Sequence, residues 1–213
     1  MVSATQLYNK SYEVTFIMMV CITVLTYIRS IQTNPESKYS LALQLSSFVT
    51  MIASMHYYLM IQNKNNVHTY RYFDWFFTTP VLLIELCLLL DIFDTQFLAE
   101  IILYNTLMLL IGFAGEVGYL GLMTSTAAGF LPLLLMFWRI KSKVDAEQTD
   151  HIGSEAERIR TRKNTILKTF FGLWSAYGLN NLVTNRMVSN GVFNLLDFLT
   201  KGAFGLFIYS ETL

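Results

Sequence analysis

The sequence predicts an all-α protein, a bundle of seven membrane-spanning helices. Apolar residues make up 54% of the 213 residues and charged residues only 14%, against about a quarter in an ordinary soluble domain. The apolar residues form seven segments, each close to the roughly 20 residues that a helix needs to cross a bilayer. These segments are apolar on nearly every side, unlike the amphipathic helices of soluble bundles. We therefore expect an integral, multi-pass membrane protein with a single domain over residues 1–213.

Short polar linkers separate the predicted helices. The first helix ends at a linker that contains Pro35, the second at the asparagine-rich segment 62–66, and the third at Asp91 and Asp94, all of which are typical helix-ending residues. The predicted helices span about residues 11–31, 41–61, 69–90, 97–120, 122–140, 165–182 and 191–210.

Two connections differ from the others. The fourth and fifth helices are almost contiguous, so a very tight turn is expected between them. The stretch 139–163 is polar and carries charges of both signs. We expect it to extend the fifth and sixth helices beyond the lipid.

The distribution of positive charge predicts the orientation in the membrane. With seven helices the termini lie on opposite sides, and the side richer in lysine and arginine is cytoplasmic. Lys10, Lys64 and Arg186 lie on one side. The other side carries Arg29, Lys38, Arg139, Lys141, Lys143, Arg158, Arg160, Arg162, Lys163 and Lys168. The N-terminus is therefore predicted to be extracellular and the C-terminus cytoplasmic.

Total charge and cysteine content exclude several other classes. The formal net charge is zero, which gives no reason to expect a nucleic-acid partner. Cys21 and Cys87 both lie inside apolar segments, where a thiol behaves as a small hydrophobic group. The sequence thus implies no disulfide or metal framework.

The third predicted helix places charged residues on one face of an aromatic, apolar segment. Arg71, Asp74, Thr78 and Glu85 fall on one side at 100° per residue. Glu85 lies roughly 16 Å from Asp74 along the axis, about half a bilayer. Because a buried charge without a role would cost several kcal/mol, this spacing indicates two stations on a path for a proton or another cation.

The seventh predicted helix carries Lys201 near its middle, with Asp197 one turn earlier on the same face. One interpretation is a structural salt bridge within the membrane. The other is a reactive amine, since a lysine in a desolvated pocket readily forms a Schiff base with an aldehyde. Asp74 and Asp197 would then be the counterions of the protonated Schiff base.

Each of these two helices carries a motif, and the motifs are Arg71-Tyr-x-Asp74-Trp75-x-x-Thr78-x-Pro80 and Asp197-x-x-x-Lys201. Together they resemble the signature of the microbial rhodopsins, seven-helix proteins that bind retinal covalently through a lysine of the seventh helix. The resemblance covers all seven helices. It implies all-trans retinal bound to Lys201 as a protonated Schiff base.

Within that family the chain is most similar to the proteorhodopsins. They combine aspartate, threonine and glutamate at the positions of Asp74, Thr78 and Glu85, and they share the helix-two histidine, His56, and the Gly-x-x-Gly-Glu-x-Gly pattern of residues 112–118. The resemblance implies that Asp74 accepts a proton, that Glu85 donates one, and that His56 is a partner of Asp74. A lone intramembrane histidine is otherwise more often a packing residue.

The same resemblance implies a retinal pocket. Trp75 and Trp174 would enclose the polyene from two sides. Tyr57 and Tyr177 would donate hydrogen bonds to Asp197, and Arg71 would lie on the extracellular side of the counterions. The remaining residues implied at the pocket are Met108, Gly112, Pro80, Tyr177 and Leu82, the last at the position that distinguishes green-absorbing from blue-absorbing proteorhodopsins.

The chain also departs from the family pattern in the sixth helix and at the exit. Gly178 stands where the family has a proline, and Asn181 where it has an aromatic residue. No paired glutamates occur near Ser189 and Asn190, so delayed proton release is expected. Compact relatives of this kind also occur among rhodopsins of large algal viruses.

These observations predict a light-driven outward proton pump rather than an enzyme. A light-gated ion channel and a sensory photoreceptor that signals to a partner are the alternatives. The predicted partners are the lipid bilayer and further copies of the chain, with a pentamer implied by the family resemblance.

Overall fold

A computed structural model describes residues 4–147 and 154–213, and it confirms the all-helical prediction. In these ranges the chain forms seven successive helices, which we label α1 to α7: Ala4–Gln32, Lys38–Gln62, Val67–Leu89, Thr95–Glu116, Leu122–Glu147, Ser154–Asn180 and Arg186–Ser210. A 3-10 turn, Lys64–Asn66, precedes α3.

Five of these helices are long and apolar enough to cross a membrane by length and composition. Their candidate spans are Tyr8–Gln32, Lys64–Leu89, Thr95–Glu116, Leu122–Glu147 and Arg186–Ser210. The other two, α2 and α6, are as long but more polar. Helix α2 contains several serines and His56, and the first half of α6 is densely charged.

Capping residues explain two helix starts that lie earlier than predicted. Helix α2 begins at Lys38 because the Ser37 side chain accepts a hydrogen bond from the Tyr39 backbone N–H. Helix α7 begins at Arg186 because the Asn185 side chain accepts from two backbone N–H groups of its first turn. Such caps satisfy donors that have no partner within the helix.

The turn between α4 and α5 is longer than predicted. Helix α4 ends at Glu116, four residues before the predicted end, and α5 begins at Leu122 as predicted. Gly118, in the turn, has a φ of +83°, a conformation that glycine adopts without a steric penalty. Helices α5 and α6 both extend into the polar stretch as predicted, since α5 reaches Glu147 and α6 starts at Ser154, and their extension beyond the lipid stays a prediction.

The chain divides into two compact units. The first contains Met1–Glu85 and Val183–Leu213, and the second contains Leu86–Leu182. The predicted single domain over residues 1–213 stays a prediction.

In the first unit, α7 changes its helical geometry at its centre. Two α-helical pieces, Arg186–Asp197 and Phe204–Ser210, flank a π-helical segment, Phe198–Ala203, that contains Lys201. Gly202 follows the lysine, and a Cβ atom there would lie 2.9 Å from the Ile22 side chain of α1. Glycine thus allows α7 to approach α1 closely beside Lys201.

Ion pairs link the helices of the second unit at one end. Arg139 binds Glu100 through two hydrogen bonds of 2.6 and 2.7 Å, and Lys163 lies 3.1 Å from Asp91. The side chain of Asp94 caps α4 by accepting a hydrogen bond from the Phe97 backbone N–H. This bond lowers the pKa of Asp94 below its ordinary value because it favours the charged carboxylate.

A glycine in α6 is packed tightly against an aromatic ring in this unit. A Cβ atom on Gly178 would lie 2.9 Å from the nearest ring carbon of Phe130 in α5. The Phe130 ring therefore lies directly against the α6 backbone.

Candidate functional site

Lys201 lies at the centre of a buried ionic cluster in the first unit. Its side chain is 1% exposed, and its Nζ atom donates a hydrogen bond to Asp74 Oδ2 of α3. The same Nζ atom is 3.4 Å from Asp197 Oδ1, one turn earlier on α7. The two carboxylates that the sequence placed on different helices therefore meet at one amine.

Asp74 is fully buried and keeps one oxygen open. Among the described residues, its Oδ1 atom has no hydrogen-bond partner, and His56 Nδ1 lies 3.9 Å away. The Thr78 hydroxyl donates to the backbone carbonyl oxygen of Asp74 at 2.8 Å. Asp74 thus combines an ion pair on one oxygen with an available acceptor on the other.

His56 has a second neighbour on its own helix. Its Nδ1 atom is 2.9 Å from the carbonyl oxygen of Ile52, and because a carbonyl only accepts, Nδ1 carries a proton in this contact. The imidazole is therefore oriented by α2 while it faces Asp74.

Asp197 differs from Asp74 in having several strong donors. Tyr57 donates to Asp197 Oδ2 at 2.7 Å, Arg71 donates to the same oxygen at 3.1 Å, and Trp75 Nε1 donates to Oδ1 at 3.1 Å. Hydrogen bonds of this kind stabilise a charged carboxylate. The predicted contact between Tyr57 and Asp197 is present.

Arg71 completes the cluster. Its guanidinium is 1% exposed, lies over the ring of Phe193 at 5.0 Å, and donates through Nη2 to the side-chain oxygen of Asn194 at 2.9 Å. Two cations, Arg71 and Lys201, thus balance two carboxylates. Such pairing offsets the several kcal/mol that each isolated buried charge would cost.

Glu85 lies farther along α3, about 11 residues and hence roughly 16 Å from Asp74. It is fully buried, and its Oε1 atom accepts a hydrogen bond from the Ser46 hydroxyl of α2. Its Oε2 atom has no hydrogen-bond partner among the described residues. Glu85 is therefore a buried carboxyl group with a neutral neighbour.

The remaining predicted pocket residues divide between the two units. Trp75, Pro80 and Leu82 lie on α3, with Trp75 and Leu82 buried. Met108 and Gly112 lie on α4 and Trp174 and Tyr177 on α6, all in the second unit. The buried Trp174 ring stacks on Phe170 with centroids 5.3 Å apart. The retinal-lining roles and the bond from Tyr177 to Asp197 stay predictions.

Sequence reasoning missed Asn194 and Ser46. Asn194 was visible as a polar residue three positions before Asp197 in an apolar helix, on the same face. Ser46 gave no comparable signal, because serines recur along α2 and most of them bond to backbone carbonyls of their own helix or of α1.

Several known proteins are similar to this chain in sequence. The family model of bacteriorhodopsin-like proteins matches residues 8–212. The green-light absorbing proteorhodopsin of Gamma-proteobacterium EBAC31A08 is 25% identical over 190 residues, which cover 82% of this chain and 75% of that protein. The blue-light absorbing proteorhodopsin of Gamma-proteobacterium Hot 75m4 is 24% identical over 207 residues, covering 90% of this chain and 80% of that protein.

Solved structures show the same fold. The crystal structure of the viral rhodopsin OLPVRII superposes with a TM-score of 0.83 at 22% identity, covering 97% of this chain and 99% of that chain.

Proposed function

Because the chain belongs to the bacteriorhodopsin-like family of microbial rhodopsins, we propose that this integral, multi-pass membrane photoreceptor works as a light-driven outward proton pump. One observation carries the proposal: α3 holds a carboxylate against the buried Lys201 amine and a second carboxyl group, Glu85, in a separate buried site. A pump needs both an acceptor and a donor on the path of the proton.

The residues around Lys201 fit retinal, the cofactor of the family. The primary amine is buried, two carboxylates face it, and the open Oδ1 atom of Asp74 can accept a hydrogen bond. Bound to Lys201 as a protonated Schiff base in the all-trans form, retinal would supply the light-absorbing group and the isomerisation that starts transport.

The two carboxylates differ in their ability to take a proton from the Lys201 nitrogen. Three donors hold Asp197, so protonating it would leave those donors with a weaker acceptor. Asp74 directly contacts the amine and has a free oxygen. We therefore assign Asp74 as the proton acceptor and Asp197 as the permanent counterion.

Glu85 is assigned as the proton donor. A carboxyl group surrounded by apolar side chains is more stable uncharged, since no ionic partner repays its desolvation. Its hydrogen bond to Ser46 holds it on the α2 side of α3. It can therefore store a proton and return it to the Lys201 nitrogen. Arg71 lies on the opposite side of Asp74, towards the α1 N-terminus, and marks the exit.

Photocurrents recorded from retinal-reconstituted membranes over a range of voltages test this function. We expect an outward current that keeps its sign at every voltage, because a pump moves protons against their gradient. A current that reverses near the equilibrium potential of an ion would show a channel instead. A normal photocycle with no current would show a sensor.

Leu82→Gln should shift the absorption maximum to shorter wavelength. Leu82 is buried one turn beyond Thr78 on α3, and an amide dipole there would favour the charge distribution of the ground state. Absorption spectra of the purified protein measure the shift. Leu82→Met, which conserves volume and polarity, is the control and should leave the maximum unchanged. Equal spectra for Gln and Met would show that position 82 does not face the chromophore.

His56→Asn should move the pH midpoint of the acid-induced red shift by about one unit or more, equivalent to about 1.4 kcal/mol. His56 Nδ1 is 3.9 Å from Asp74 Oδ1, so replacing the imidazole changes the environment of that carboxylate oxygen. Spectra recorded across the pH range give the midpoint.

We also propose that the chain forms an oligomer, a pentamer by family resemblance, in which His56 faces the next protomer. Detergent-separated monomers should then lose most of the His56 effect. An unmoved midpoint in the oligomer would leave His56 as a packing residue.

A further inference from the structure

Asn194 connects the ionic cluster to helix α1. Its side-chain oxygen accepts a hydrogen bond from Arg71 Nη2 at 2.9 Å and lies 3.2 Å from the Tyr57 hydroxyl oxygen. Its side-chain nitrogen donates to the Ser11 hydroxyl of α1 at 2.9 Å. Asn194 is 2% exposed, so all of its side-chain bonds are made within the protein.

Ser11 is itself held in place. Its hydroxyl donates to the backbone carbonyl oxygen of Tyr8 at 2.8 Å, which leaves its oxygen to accept from Asn194. The amide is therefore fixed from both sides, by α1 on the nitrogen and by the arginine on the oxygen. A fixed acceptor of this kind fixes the direction of the guanidinium.

The other bonds of Arg71 do not fix that direction alone. Its Nη1 atom reaches both Asp197 at 3.1 Å and Tyr57 at 3.4 Å, while its Nε atom has no hydrogen-bond partner in the described residues. The Nη2 atom donates to the side-chain oxygen of Asn194. Removing the Asn194 amide would leave the guanidinium free to turn about its bond to Asp197.

We propose that Asn194 is a positioning residue that holds the positive charge of Arg71 beside Asp197, with Ser11 anchoring it to α1. This deepens the proposed function and rests on it, because it concerns the arginine at the proton exit. The group in this role is a neutral amide. It holds the guanidinium without storing a proton or competing as an anion with the two aspartates.

The charged and titratable groups that face this set come from four helices. They are Tyr8 and Tyr12 of α1, His56 and Tyr57 of α2, Arg71 and Asp74 of α3, and Asp197 and Lys201 of α7. A guanidinium fixed beside Asp197 compensates the negative charge of that carboxylate. If the guanidinium moves away, the uncompensated charge of Asp197 remains at the amine that also contacts Asp74, and it makes Asp74 easier to protonate.

The test is the pH midpoint of the acid-induced red shift, measured in the dark on the retinal-bound full chain. Asn194→Leu should raise the midpoint by about one unit, a tenfold change in proton affinity. Asn190→Leu is the matched control: Asn190 is equally buried one turn earlier on α7, and it bonds to the Tyr8 hydroxyl. It should leave the midpoint unchanged.

A double-mutant cycle shows whether Asn194 acts through Arg71. In an Arg71→Gln background Asn194→Leu should produce no further shift, because the charge that it positions is absent. Equal shifts in both backgrounds, or no shift in the parent, would refute the proposal. If Asn194→Leu yields no coloured protein, Ser11→Ala tests the proposal instead, because it removes the anchor of the Asn194 amide. An unchanged midpoint in Ser11→Ala would then refute the proposal.

The dark measurement separates this inference from the proposed function. A midpoint shift requires only bound retinal, whereas pumping requires a photocurrent. A parent chain that shows the Asn194 shift but no pump current would retain the positioning role and lose the function. A parent chain that pumps, but whose Asn194→Leu variant shows no shift, would retain the function and lose the positioning role.

Discussion

Lys201→Ala should abolish absorption in the visible range even with excess retinal. The colour is expected to depend on a protonated imine, and in the first unit Lys201 is the amine that contacts both Asp74 and Asp197. Absorption spectra of membranes incubated with retinal measure the effect, and a complete loss of the visible band is expected. Buried retinal that is not covalently linked would absorb only at the wavelength of the free aldehyde.

Lys201→Arg distinguishes loss of the imine from loss of folding. Removing the lysine charge leaves two buried carboxylates facing each other, which destabilises the fold. Arginine keeps the positive charge but does not form the imine, so this variant should be folded and colourless. Lys168→Ala removes an exposed lysine of α6 and should leave the colour intact. A visible band in Lys201→Arg would contradict the assignment of the attachment site.

Glu85→Gln should leave the colour nearly unchanged but slow the recovery of the photocycle by about a hundredfold, the lower range for loss of a general acid. The site lies roughly 16 Å from Asp74, too far to affect the chromophore strongly. Flash photolysis measures the recovery. Added azide, a mobile proton donor, should restore the rate.

Two further variants make the Glu85 result specific. Ser46→Ala removes the hydroxyl that bonds to Glu85 and should slow recovery less than Glu85→Gln, because the carboxyl group remains. Glu13→Gln changes an exposed glutamate of α1 and should have no effect. If the photocycle of Glu85→Gln recovers as fast as that of the parent, Glu85 is not the proton donor, and the channel or sensor function is favoured.

The ionic residues could be predicted from sequence because burying charge is costly. Arg71, Asp74, Asp197 and Lys201 stand out in apolar helices, and helical spacing alone places each pair on one face of its own helix. The structure brings them together in one cluster.

Neutral polar residues were harder to predict. Asn194 is visible in sequence as a polar residue on the face of Asp197, but only the positions of α1 and α3 show that it bonds to Ser11 and Arg71. The π-helical segment Phe198–Ala203 also has no sequence signature, because a single widened turn changes the apolar periodicity too little. Helix ends followed capping side chains such as Asn185 rather than the limits of apolar segments.

The close contact between Gly178 and Phe130 has a consequence for how this chain can change over evolutionary time. Any residue larger than glycine at position 178 would bring a side-chain carbon within 2.9 Å of the ring. The family's proline can therefore return only together with a smaller residue at position 130 or a displaced ring. The two positions constrain each other, so relatives that carry Gly178 should tend to keep an aromatic residue facing it. A chimera that takes only α6 from a relative with proline at this position would create a steric clash with the Phe130 ring of α5. A chimera that takes both α5 and α6 from that relative would avoid the clash.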